Sequence, residues 1–156
     1  MVQAQDGVSV ESDTLGALLY PLEGDTFALD MVIKPERYHE FGIALHVDKE
    51  LETGYFLRMN PKNQLVAWDM WPRGEQGRYQ WQIKGDVPYQ IETARKLPKA
   101  EEYRVHNIKE KDICVVYIND EIVLSTRMYN HKDGYAGIYV VQGNVKLIQY
   151  KEKRSE

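Results

Sequence analysis

Between Lys111 and Tyr129 the chain reads KDICVVYINDEIVLSTRMY, and this stretch constrains the fold more than any other. Residues 113–118 are rich in β-branched and aromatic side chains, which suit a pleated, largely buried strand. Asn119-Asp120 follows with turn chemistry, because short Asx side chains tolerate the left-handed backbone and bond their own main chain. Residues 122–129 then run back. A hairpin this apolar has to bury at least one face, which predicts a place inside a sheet. Two polar side chains interrupt it. Tyr117 is a phenol in the first strand and Arg127 a cation late in the second, so a functional face of the hairpin would carry them. Arg127 reads equally well as a structural cation paired to Glu121 or Asp69, or as a ligand contact sharing a sheet face with Tyr117 or Tyr139.

The same signature recurs along the chain. In residues 26–33, Phe27, Leu29, Met31 and Ile33 share a face, and Lys34-Pro35 is expected to end the strand because proline cannot donate to a ladder. In residues 41–47, Phe41, Ile43, Leu45 and Val47 share one face, and Gly42, Ala44 and His46 the other. Strands are further predicted at 55–59, 64–70, 79–83, 87–94, 103–108, 135–141 and 145–150. Turns are expected at 60–63, 131–134 and 143–144, and loops at 48–54, 71–77 and 96–100. Residues 1–13 read as an arm or the remnant of an edge strand, and 151–156 as a charged tail. No segment keeps a helical period over ten residues. Ten to twelve short alternating strands in one 156-residue module predict an all-β sandwich or barrel.

Composition excludes several functions. A net charge of −4 argues against nucleic acid as the main partner, since phosphate binding needs a basic face. No apolar run approaches the roughly 18 residues that span a bilayer, so no membrane role is expected. The opening residues MVQAQDGVSVESD lack the basic start and apolar core of a secretory leader. Cys114 is the one cysteine, which leaves no disulfide framework, and its place in an apolar strand makes it a buried inert thiol. His39, His46, His106 and His131 form no close-spaced metal pair and read as surface or loop positions. Asp48, Glu50, Glu52 and Asp133 offer oxygens to a structural calcium, with solvated loop charges as the alternative; no other cofactor is implied.

The aromatic residues carry the functional signal. Eleven Tyr and three Trp outnumber three Phe, and all three Trp fall between positions 68 and 81. Trp68-Asp69-Met70-Trp71-Pro72-Arg73 places ring platforms beside a carboxylate and a guanidinium. A sugar ring has an apolar C–H face that packs on such a ring, and hydroxyls that take charge-assisted hydrogen bonds. Core packing is the alternative, and strand alternation lets only one of Trp68 and Trp71 face the core. A glycosidase acid pair is not singled out by spacing among 24 carboxylates.

The segments 54–61, 65–73 and above all 113–129 resemble the C-terminal β-sandwich module of the β-fructosidases of glycoside hydrolase family 32 and the related family 66 carbohydrate-binding modules. In those enzymes catalysis belongs to a separate propeller, marked by Trp-x-Asn-Asp-Pro-Asn-Gly, Arg-Asp-Pro and Glu-Cys motifs. None occurs here, and Asn119-Asp120 is followed by Glu121. The resemblance therefore implies an all-β, two-sheet antiparallel jelly-roll sandwich of the concanavalin A-like lectin and glucanase type, acting as a non-catalytic carbohydrate-binding module for β-fructan (levan or inulin) or its terminal fructose and attached to a catalytic domain in a larger protein. Its location would be extracellular if that protein is a secreted fructanase. The binding candidates are Arg58, Asp69, Trp71, Arg73, Arg127 and Tyr129. Two alternatives stand: an accessory sandwich that binds no sugar, and a small stand-alone glycan hydrolase.

Overall fold

The computed structural model describes residues 2–3, 7–71, 89–90, 95–128 and 133–154. One long strand, β11 (Tyr135–Arg154), organises them. Along one edge it pairs antiparallel with β2 (Val8–Pro21). Along the other it pairs first with β4 (Glu40–Val47) and then, past a register shift, with β3 (Thr26–Arg37). The β4 half continues through β5 (Gly54–Asn60), β6 (Leu65–Trp71) and β7 (Tyr89–Gln90). The β3 half continues through β8 (Tyr103–Glu110), β9 (Ile113–Ile118) and β10 (Ile122–Arg127). The short β1 (Val2–Gln3) pairs with the end of β11. The two halves are the two layers of a concanavalin-type sandwich, and β2, β11 and the β3–β4 run pass from one to the other.

Alternation drives the packing. Phe27, Leu29, Met31 and Ile33 of β3, Tyr103 and Val105 of β8, and Cys114, Val116 and Ile118 of β9 face inward from the first layer. Phe41, Ile43 and Leu45 of β4, Tyr55, Leu57 and Met59 of β5, and Val66, Trp68 and Met70 of β6 meet them from the second. The Phe41 and Tyr103 rings bridge the layers at 5.8 Å. Each large side chain so buried contributes about 1.5–3 kcal/mol.

The hairpin forms as read. Asn119 and Asp120 both take positive φ, 51° and 56°, and Glu121 N–H donates to the Ile118 carbonyl at 3.0 Å, closing a two-residue turn. Cys114 is fully buried, and burial pushes its thiol up to about 12 against the opposing pull of Lys109. The hairpin's place differs from expectation: among the described residues β10 is the last strand of its layer, an edge.

Five other readings change. Pro35 does not end β3. It lies past Ile33, where pairing with β8 stops, and opposite the register shift at Asn144/Val145, so no ladder needs its missing N–H. Gly143-Asn144 is not a turn between two strands but a bulge inside β11, with Gln142 at φ 51°. Residues 8–13, read as an arm or edge remnant, belong to β2, and 151–154 of the charged tail belong to β11. His46, expected with Gly42 and Ala44 on the opposite face, is buried at 3% exposure. Its φ of 54° and the shift between Tyr135 and Gly137 make a bulge that turns the ring inward.

Inside, His46 Nδ1 lies 2.8 Å from the Asp133 carbonyl, so this nitrogen carries the proton and donates. Nε2 is then the acceptor for the Lys109 ammonium at 2.7 Å, a contact that joins the two layers. Lys109 is 1% exposed and also lies near the Phe27 ring. Lys109→Ala would remove one partner of a buried polar pair and leave a cavity, with an expected loss of about 3 kcal/mol or more in urea unfolding. Lys109→Met keeps the stem volume and should lose less.

Candidate functional site

The outer face of the second layer, away from the core, is unusually small and polar. Opposite Phe41, Ile43 and Leu45 stand Gly42 and Ala44 on β4, and Ala67 stands between Val66 and Trp68 on β6. In register, Gly42 lies between Tyr139 of β11 and Arg58 of β5, and Arg58 faces Ala67. One step along, Ala44 faces Phe56, and Phe56 faces Asp69. The glycine is required by close approach: a Cβ at Gly42 would sit 1.9 Å from the Leu57 carbonyl oxygen and 3.0 Å from the Tyr139 ring. Gly42, Ala44 and Ala67 are buried beneath a cluster of larger side chains on this face, Glu40, Arg58, Phe56, Asp69 and Tyr139.

Arg58 is its centre. Nε lies 3.5 Å from Asp69 Oδ2 and 3.9 Å from Glu40 Oε1, so one guanidinium serves two carboxylates. The Tyr139 hydroxyl donates to Glu40 Oε2 at 3.3 Å, and its ring stands edge-on to Phe56 at 5.6 Å. Burial is graded. The Asp69 side chain is 6% exposed, while Glu40 and Arg58 keep 25% and 31%. Desolvation raises both carboxyl pKa values above the ordinary range, with Arg58 pulling each back. Tyr139, wholly enclosed beside the two acids, is raised well above an ordinary phenol. Hydrogen-bonding capacity is left over at the centre, because Arg58 Nε and Asp69 Oδ1 are buried without a hydrogen-bond partner. A hydroxyl is both donor and acceptor, so it complements such a guanidinium–carboxylate pair.

The structure therefore brings together two of the six expected residues, Arg58 and Asp69. Trp71 is the last residue of β6, its backbone opposite Gly54. Arg73 and Tyr129 lie outside the described residues. Arg127 is exposed on the outer face of the other layer, in register with Ile113 and on the same face as Tyr117. It reaches neither Asp69 nor Tyr139, which stand on the opposite layer. Trp68 is fully buried core.

Glu40 and Phe56 were not anticipated, and Tyr139 was named only as a face-mate of Arg127. Glu40 falls just before the strand expected at 41–47, yet the alternation of 40, 42 and 44 already put it on the face with Gly42 and Ala44. Two of the acids offered to calcium are occupied otherwise. Asp48 Oδ1 accepts the N–H groups of Glu52 and Thr53, and Asp133 Oδ1 that of Gly24. Among the described residues no group of three His, Cys, Asp or Glu side chains is placed to hold a metal.

The sequence matches no family model and no curated protein. Solved structures do match in fold. The carbohydrate binding module CBM66 from Bacillus subtilis superposes with a TM-score of 0.74 at 17% identity, over 93% of this chain and 85% of that one. The galectin LEC-6 of Caenorhabditis elegans gives a TM-score of 0.62 at 12% identity, over 96% of each chain. A β-fructofuranosidase of Aspergillus kawachii gives 0.64 at 11% identity, where 99% of this chain covers only 27% of the enzyme. What the chain shares with these proteins is the concanavalin-type β-sandwich.

Proposed function

We propose that the chain is a non-catalytic carbohydrate-binding module whose site is the Glu40–Arg58–Asp69–Tyr139 cluster, and that its ligand is β-fructan or a terminal fructose. The observation that carries this reading is the arginine shared by two carboxylates, with the Arg58 and Glu40 side chains partly exposed on the outer face. The charged groups supply strong hydrogen bonds to vicinal hydroxyls. A neighbour in fold named as a carbohydrate binding module, and another named as a fructofuranosidase, support the ligand class. Affinity for such a shallow site should fall in the micromolar to millimolar range, roughly −8 to −4 kcal/mol. In a larger enzyme the module would hold the catalytic domain near its polymer.

Isothermal titration with levan, inulin and fructose, with xylan and laminarin as controls, tests it. Heat is expected with a fructan and is expected to weaken in Asp69→Asn, which keeps the shape and removes the charge. The pH dependence follows from the raised carboxyls. Ionised Glu40 and Asp69 accept sugar hydroxyls, so affinity should fall as pH drops through their raised values, above the ordinary carboxylate range of about 4. For folding the sign is opposite. The folded state holds these two protons to higher pH than the unfolded chain does, so the groups' contribution to stability declines as pH rises through the same window. No heat from folded protein with any glycan would overturn the proposal.

One observation favours a second reading, a glycan hydrolase: two carboxylates with raised pKa values share one arginine. Release of reducing sugar from any of these glycans, lost in Glu40→Gln, would establish it. Against it, Arg58 contacts both acids, which opposes keeping either one protonated as a general acid.

A further inference from the structure

The first layer ends at β10, and nothing among the described residues pairs with its outer edge. Its outward face is apolar: Val123 is 47% exposed, Ile113 of β9 45%, and Ile108 of β8 41%. Ile108, Ile113 and Arg127 border a shallow groove of about 470 Å³ that also includes Val115, Glu110, Lys111 and Asp112. An unpaired, exposed apolar edge strand is a template for another strand, and soluble proteins ordinarily blunt it with proline, a bulge or inward charges. β10 has no proline, and its inward positions Leu124 and Thr126 are uncharged and buried.

We propose that β10 is a self-association edge, and that a second copy of this chain pairs with it antiparallel about a two-fold axis normal to the sheet. Such an axis passes through a residue paired with its own copy, which keeps outward side chains opposite outward side chains. Near the strand centre that residue is Leu124 or Ser125. Centred on Leu124, Val123 faces Ser125 of the second copy, and Glu121 faces Arg127 of the second copy, twice by symmetry. Centred on Ser125, Arg127 faces Val123 instead. Glu121, in the turn just before the strand, and Arg127, its last residue, are both exposed, so charge complementarity selects the first register. It also gives a role to Arg127, which the sugar site does not use. The two-fold leaves both candidate sugar sites, on the far layer, facing one side of the dimer. The bivalent grip on a polymer that follows rests on the glycan reading; the dimer itself does not.

Sedimentation equilibrium of the full chain from about 1 to 200 μM tests the pairing. The expected result is a concentration-dependent rise toward twice the 18.2 kDa chain mass. Arg127→Glu and Glu121→Arg should each weaken the dimer at least tenfold, with unchanged circular dichroism, and the double reversal should restore it. A mass that stays monomeric, a dimer indifferent to both single reversals, or a double reversal that stays monomeric would each overturn the proposal.

Discussion

Arg58→Ala is expected to abolish glycan binding and to lower the stability of the chain together. The two losses have different origins. Binding fails because the guanidinium is the only cation found between Asp69 and Glu40 among the described residues, and a hydroxyl bridging it to a carboxylate loses its strongest donor. Stability falls because Asp69 stays in place, 6% exposed, without its counter-charge. Leaving one member of a buried pair uncompensated costs about 3 kcal/mol, less here to the extent that Arg58 is itself partly in water.

A pH test separates the two origins. Burial already raises the Asp69 carboxyl, and removing Arg58 removes the opposing pull, so Asp69 takes up a proton at still higher pH. The stability loss should therefore be small in urea unfolding at pH 5 and larger at pH 8, where the carboxylate is forced to ionise. Adding Asp69→Asn to Arg58→Ala should recover stability at pH 8 and leave binding absent. If Arg58→Ala is folded and binds levan or inulin with unchanged affinity, the Glu40–Arg58–Asp69–Tyr139 cluster is not the site.

How much of this was legible in the sequence follows from what alternation encodes. A period of two reports which side chains share a face, so the strands and the opposition of Phe41, Ile43 and Leu45 to Gly42 and Ala44 were readable, as was the Asn119-Asp120 turn. Alternation is silent about which strands neighbour each other. Arg58, Glu40 and Tyr139 are brought together by strand order, with β11 beside β4 and β4 beside β5, and no local pattern states that order. The same blindness put Arg127 in the site although it stands at the far edge of the other layer. Bulges defeat the pattern in a second way. One extra residue exchanges the faces, which is how His46 passed from the outer set to a buried contact with Lys109. Gly143 misled for a third reason. Glycine marks turns because it tolerates positive φ, but it also marks places where two backbones touch, and the sequence does not distinguish these uses.

That distinction makes Gly143→Ala the substitution with the largest expected effect on the fold. A Cβ there would lie 1.9 Å from the Arg37 carbonyl oxygen, and 2.6 Å from the Arg37 carbonyl carbon and from Tyr38 Cα. All three are backbone atoms, so no rotamer change relieves the clash. They belong to the junction between β3 and β4, where the chain passes from one layer to the other beside β11; His39 N–H donates to the Val141 carbonyl at 3.0 Å just beyond. Relief requires prising β11 away from that junction, which breaks the register of both layers at once. Overpacking in a well-packed site costs about 1–3 kcal/mol when side chains can yield, and a backbone clash belongs at or above the top of that range. Gly24→Ala supplies the contrast. Nothing lies within 4 Å of a Cβ at Gly24, and only its φ of +82° opposes the change, so the expected loss is about 1 kcal/mol. Urea unfolding of the two variants should rank them in that order by at least about 2 kcal/mol. Equal losses would mean that the crossing of β11 past the β3–β4 junction yields more readily than its geometry implies.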